Sequence, residues 1–132
     1  MTQEMTQETT KTSTKARGDA GEGRALAHLL AQGLTLVQRN YRVARGPNAR
    51  GGEIDLVLRE RDGTLVFVEV RSRRSGTHGG AAASVGATKQ RSLVLAARHF
   101  LQMQRTPPPC RFDVVAIDGE RIEWLRGAFD AS

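Results

Sequence analysis

The stretch GGEIDLVLRERDGTLVFVEVRSR, residues 51–73, decides the fold. Two apolar-rich runs, residues 53–59 and 65–71, flank the polar segment Glu60-Arg61-Asp62-Gly63-Thr64. That is the pattern of a β-hairpin. Period-2 alternation puts Leu65, Phe67, Glu69 and Arg71 on one side of the second run and Val66, Val68 and Val70 on the other. In the first run, Asp55 alternates with Ile54 and Leu56. A three-residue loop, Arg61-Asp62-Gly63, suits a type I turn followed by a left-handed glycine, and it pairs Glu60 with Thr64. Asp55 then lies directly opposite Glu69, with Cβ atoms about 4.5–5.5 Å apart. A loop one residue shorter or longer would place the two acids on opposite faces. Carboxylates this close repel each other unless a cation or a shared proton joins them.

Outward from the hairpin, the chain alternates helix and strand signals. Upstream, Leu26, Leu29 and Leu30 recur at helical spacing over residues 19–32, and Gly33 is a C-terminal stop. Glu22 stands four residues before Leu26, so it projects from the apolar side and needs a partner. Residues 34–43 read as a strand, and residues 44–52, rich in glycine and arginine, as a loop. Downstream, residues 72–80 form a basic loop. A long helix is expected over residues 82–104, with Leu93, Ala97, Phe100 and Leu101 on one side. Thr106-Pro107-Pro108-Pro109 ends it. Residues 111–117 and 121–125 make two further strands around the turn at Asp118-Gly119. The first 17 residues, with few large apolar side chains, are expected to be a disordered tail, leaving residues 18–132 as one domain.

The chain has 132 residues, with 20 Lys and Arg against 14 Asp and Glu. Without the first 17 residues the excess is still +5 of the full +6. A basic folded part suggests a polyanionic partner. The single cysteine, Cys110, excludes an internal disulfide. His28, His78 and His99 are scattered, so no histidine–cysteine pattern points to zinc. No apolar run of about 18 residues suggests a membrane span, and no secretory signal is apparent. The cytoplasm is the expected compartment. With one Trp, one Tyr and four Phe, backbone recognition is favoured over base stacking.

Glu22, Asp55 and Glu69 together suit a hard ion such as Mg²⁺ or Mn²⁺, which keeps waters and needs few carboxylates. The competing reading pairs these acids with local arginines such as Arg71 or Arg73. Lys89, four residues before Leu93, points inward from the long helix, toward the acids. Arg42, Arg45, Arg50, Arg73 and Arg74 lie in or beside the flanking loops and can grip a phosphate backbone.

An acid followed by a strand bearing Glu-x-Lys resembles the PD-(D/E)-x-K nucleases, the restriction-endonuclease-like superfamily. More narrowly, the chain resembles the YraN-like family of uncharacterised bacterial proteins related to archaeal Holliday junction resolvases. The matching pieces are Gly18-Asp19-Ala20-Gly21-Glu22, Arg39-Asn40-Tyr41-Arg42, Gly52-Glu53-Ile54-Asp55, Phe67-Val68-Glu69-Val70-Arg71-Ser72-Arg73, Lys89 and Arg111-Phe112-Asp113-Val114. They span nearly all of residues 18–129. The resemblance implies an α/β fold with a helix, three strands, helix, strand core and a mixed sheet flanked by helices. It implies a metal site on Glu22, Asp55 and Glu69 with the Val70 carbonyl as a further ligand. It also implies metal-dependent endonuclease activity on DNA, branched DNA included, and by analogy a homodimer. Arg71 departs from the pattern, which has lysine there. Arginine is a poor base but binds phosphate well through its fork, so Arg71 or Lys89 is the expected cationic catalyst. The alternative is a nuclease-fold module with weak or lost chemistry that binds nucleic acid or a partner protein.

Overall fold

The computed structural model describes residues 13–44, 51–73 and 85–131, with main chain alone for residues 13–19 and 73. The elements are α1 (Ser13–Ala31), β1 (Thr35–Val43), β2 (Gly52–Arg59), β3 (Leu65–Arg73), α2 (Ala87–Gln102), β4 (Cys110–Asp118) and β5 (Arg121–Phe129). The five strands form one mixed sheet in the order β1-β2-β3-β4-β5, with only β3 and β4 parallel. α2 supplies the crossover between those two strands. The α/β order is the one expected from the sequence. Some boundaries differ. α1 begins at Ser13 and so takes in residues 13–17 of the expected tail. α2 begins at Ala87, after Gly86 in an extended conformation, rather than at residue 82. β5 continues to Phe129, whose ring stacks on Phe112.

The β2–β3 hairpin has the expected register: Leu56 pairs with Val68, Val57 with Phe67, Leu58 with Val66 and Arg59 with Leu65. The turn explains it. Gly63 N–H donates to Glu60 O at 3.0 Å, Glu60 N–H to Thr64 O at 2.9 Å, and Gly63 adopts φ +95. Only glycine takes that conformation without strain. The Asp62 carboxylate accepts the Thr64 N–H at 3.0 Å, which fixes the turn from within.

Each face of the sheet carries one helix. Leu65, Phe67 and Val57 face α2, where Leu93, Ala96, Ala97 and Phe100 complete a core with Tyr41 and Phe112. Leu56, Leu58, Val66 and Val68 face α1 and pack with Ala25, Leu29, Val115 and Ile117. The buried stripe of α1 is therefore Gly21, Ala25 and Leu29, while Leu30 is 45% exposed. The expected stripe through Leu26 and Leu30 is rotated by one position. Small residues explain the rotation. A Cβ on Gly21 would stand 3.2 Å from Ser72 Oγ, so the bare glycine lets α1 lie close to β3.

On the other face, Gly52 plays the same part for α2. A Cβ there would sit 2.5 Å from Ser92 O and 2.8 Å from Ala96 N, both main-chain atoms. Helix and strand backbones meet at this point and fix how α2 crosses β2.

The β1–β2 ladder shifts register once. Val37 bulges out of β1 between the pairs Leu36–Leu58 and Gln38–Val57. Asn40, between the pairs Arg39–Leu56 and Tyr41–Ile54, has φ 53, and among the described residues no other non-glycine has a positive φ. Asparagine tolerates that conformation best. Asp55 lies opposite Asn40, and Ile54 and Val57, three residues apart, both join the α2-side core. Regular alternation therefore fails on both strands around Asp55.

Gly52→Ala should destabilise the fold by about 1–3 kcal/mol through overpacking against the α2 backbone. Gly23→Ala, in α1 with nothing within 4 Å of a new Cβ, should stabilise it by about 0.5–1 kcal/mol. Urea melts of the two variants beside the parent chain check both signs.

Candidate metal centre

The break at Asp55 has a chemical consequence. The regular β2–β3 pairs stop at Leu56–Val68, and the Val70 N–H donates instead to Asp55 Oδ2 at 2.8 Å. The carboxylate thus replaces a main-chain acceptor and is held within the sheet. Glu69, the next residue back along β3, is only 4% exposed. Its carboxyl stands close enough to Asp55 for each to shift the other's titration. Lys89, in the first turn of α2, brings Nζ to 3.7 Å from Glu69 Oε2. The contact follows from the helix crossing fixed at Gly52. Lys89 is itself 44% exposed.

Electrostatics follow from burial. Desolvation, then the Asp55 charge, push Glu69 up to about 8, against the lowering effect of Lys89 and Arg71. Asp55 is also raised, chiefly by desolvation, although the Val70 N–H and Glu69 work the other way. Both shifts favour the protonated acid. A hard divalent cation satisfies the same pair without the proton, and two carboxylates with waters suffice for Mg²⁺. The donor set fits such an ion.

The structure brings together Asp55, Glu69, the Val70 main chain and Lys89. Arg71 belongs to the same end of β3 and acts on Glu69 through its charge. Glu22 is not drawn into the group. It stands on α1, across the sheet from Glu69, and pairs with Arg39 at 3.6 Å. Among the described residues, no three His, Cys, Asp or Glu side chains converge as a metal cluster. The rotation of the α1 stripe is the reason: it sets Gly21 against β3 and turns Glu22 onto Arg39 of β1. Arg42, expected to grip phosphate, pairs with Glu53 at 3.5 Å and is well exposed. Arg45, Arg50 and Arg74 lie outside the described residues, as does the side chain of Arg73.

Sequence reasoning missed a second buried acid. Asp113 is fully buried and accepts from Arg111 Nε at 3.0 Å, Trp124 Nε1 at 2.8 Å and Gly127 N at 2.9 Å. Arg111 also donates to Glu60 Oε2 at 2.7 Å, joining β4 to the hairpin turn. With its lone pairs filled from within the fold, Asp113 is a structural tie. The signal was present: Arg111 and Asp113 are two apart on a strand and share a face.

Fold and site define a mixed-sheet α/β domain with a desolvated carboxylate pair beside a lysine. The chain belongs to the uncharacterised protein family UPF0102, whose match covers residues 21–117. It is 70% identical over 120 residues to a UPF0102 protein of Methylibium petroleiphilum, covering 91% of this chain and 98% of that one. It is 63% identical to one from Acidovorax sp., over 91% and 89% of the two chains. A relative from Cupriavidus taiwanensis is 58% identical over 93% and 89%. Among the described residues, no helix is long and apolar enough to cross a membrane.

Glu69 binds its proton up to about 8 in the folded chain, against an ordinary 4.5. Between those values the folded state holds more protons than the unfolded one. The stabilisation is therefore complete below the lower value and is lost as pH rises through the upper one. In EDTA, the urea midpoint should fall between about pH 5 and about pH 8.5, and Glu69→Gln should flatten that fall.

Proposed function

We propose that this protein is a divalent-metal-dependent endonuclease that hydrolyses phosphodiester bonds in DNA, branched DNA included. The reading places it with the PD-(D/E)-x-K nucleases, near the Holliday junction resolvases. One observation carries it: Asp55 and the buried Glu69 stand together where the β2–β3 ladder stops, with the Val70 N–H on Asp55 at 2.8 Å and Lys89 3.7 Å from Glu69. Two acids kept this close and this dry lower the stability of the fold whenever both are charged, and nothing in the packing of the core requires them. A cation-binding role accounts for their retention.

In this reading Asp55 and Glu69 hold Mg²⁺ or Mn²⁺, with the Asp55 carboxylate oriented by the Val70 N–H. The bound ion supplies a more acidic water and polarises the phosphate. A bound ion would take the place of the Glu69 proton, which would leave to solvent. Lys89 then faces the phosphoryl oxygens as a compact, fully donating charge and stabilises the negative charge that develops there. Arg71 keeps the family's positive charge at the end of β3 and suits bidentate phosphate binding rather than proton transfer. Arg71 also favours the second reading, a nuclease-fold module that binds nucleic acid without efficient chemistry. Lys89 beside Glu69 weighs against it, because it supplies the ammonium that Arg71 lacks.

The test is incubation of purified protein with linear, nicked, single-stranded and four-way-junction DNA in Mg²⁺, Mn²⁺ or EDTA. Cleavage should need metal and should vanish in Asp55→Ala and Glu69→Ala. Lys89→Ala should lose about 2.7–4 kcal/mol of transition-state stabilisation, the worth of one charge-stabilising donor. Arg71→Lys should preserve or raise the rate. Equal trace cleavage by the parent chain and Asp55→Ala in every metal would leave the binding-module reading standing.

A further inference from the structure

Charge on α2 is distributed in a way the catalytic reading does not use. The helix Ala87–Gln102 carries Lys89, Arg91, Arg98 and His99 and no Asp or Glu. Most other described arginines are engaged within the fold. Arg39 pairs with Glu22, Arg42 with Glu53 and Arg111 with Glu60 and Asp113. Arg24 bonds Gly119 O, Arg59 reaches Gly63 O, and Arg126 covers the Trp124 ring. Arg91 and Arg98 differ. Both are exposed, and no carboxylate of the described residues lies within 4.0 Å of either. Among the described residues, Arg91 is tied only by a long bond to Thr88 Oγ1 at 3.3 Å.

The surface around them is concave on both sides. A cleft of about 800 Å³, walled by Gly51, Gly86, Thr88, Lys89, Arg91 and Ser92, contains the lysine that touches Glu69. A second cleft of about 550 Å³ continues along the helix, with Arg91 on its shared wall and Arg98 farther on. Asp130 lines this second cleft and is the one acid there. Arg91 and Arg98 are two turns apart on one helix face, or about 10.5 Å along the axis at 1.5 Å per residue. Successive phosphates of one strand advance by about 3.4 Å along a duplex axis, so about three steps match that spacing.

We propose that the outer ridge of α2, with Arg91 and Arg98, is the track that holds the phosphates of a DNA strand as it leaves the Asp55–Glu69–Lys89 group. The proposal rests on the nucleic-acid reading above and adds to it a footprint on α2. Polyanion chemistry fits the ridge: unpaired guanidiniums, an acid-free helix and hydroxyls from Thr88 and Ser92 in the cleft wall. Arg91 and Arg98 act as binding residues here, not catalytic ones.

The test measures binding of the full chain to a fluorescent duplex and to the matching single strand in EDTA across a salt series. Arg91→Ala with Arg98→Ala should weaken binding and make the slope of log affinity against log salt shallower by about 0.9 for each duplex phosphate released. Arg91→Lys with Arg98→Lys should restore most of the slope. Arg61→Ala with Arg121→Ala, an equal loss of exposed charge away from α2, should leave it unchanged. An unaltered melting temperature shows that the alanine pair folds. Parent-level slope in the folded alanine pair overturns the α2 track and leaves the nucleic-acid reading intact. Equal losses in the two alanine pairs mean diffuse charge and also overturn it. No DNA binding by the parent chain overturns both readings.

Discussion

Two carboxyl groups, Asp55 and Glu69, meet where the β2–β3 ladder stops, and the local arrangement of strands and helix is built around that contact. Glu69 is part of an otherwise apolar strand. Its neighbours Phe67 and Val68 are fully buried, so the carboxyl has little water to solvate it. Asp55 meets it where the regular β2–β3 ladder stops, and the Val70 N–H takes the Asp55 side chain as its acceptor. Burying two negative charges this close is costly, and desolvation with the Asp55 charge pushes Glu69 up to about 8. Lys89 relieves part of the same charge from the helix above.

The scaffold is organised to hold that point still. Gly52 lets α2 meet β2 backbone to backbone, and Phe67, Phe100, Tyr41 and Phe112 pack edge to face or tilted beneath it. On the far face Gly21 and Ala25 bring α1 down onto Ser72 and Ile117. The Glu60–Arg111–Asp113–Trp124 network ties the hairpin turn to β4 and β5. Asp113 shows the contrast with Glu69: it is buried more completely, yet an arginine, an indole and an amide meet its oxygens. One acid is satisfied by the fold, and the other is left to a neighbouring acid and a half-exposed lysine. That difference separates a structural carboxylate from a candidate ligand.

Much of this was determined by the sequence alone, because the forces involved are short-range. Turn chemistry in Arg61-Asp62-Gly63 fixed the hairpin register, and the register put Asp55 against Glu69. Alternation gave the face of each strand residue, and helical spacing brought Lys89 to the inner side of α2. Only the tertiary structure decided what depends on contact between distant segments. Helical periodicity gave α1 an apolar side but not its rotation, which the small residues Gly21 and Ala25 set against the sheet, turning Glu22 toward Arg39. The bulge at Val37 and the left-handed Asn40 on β1 accompany the break at Asp55, a non-local fit that no pattern within either strand records. Likewise, a sequence lists arginines without their partners. Glu53 and Glu60 take up Arg42 and Arg111, while Arg91 and Arg98 face solvent, because ion pairing is fixed by which side chains the folded backbone brings within reach.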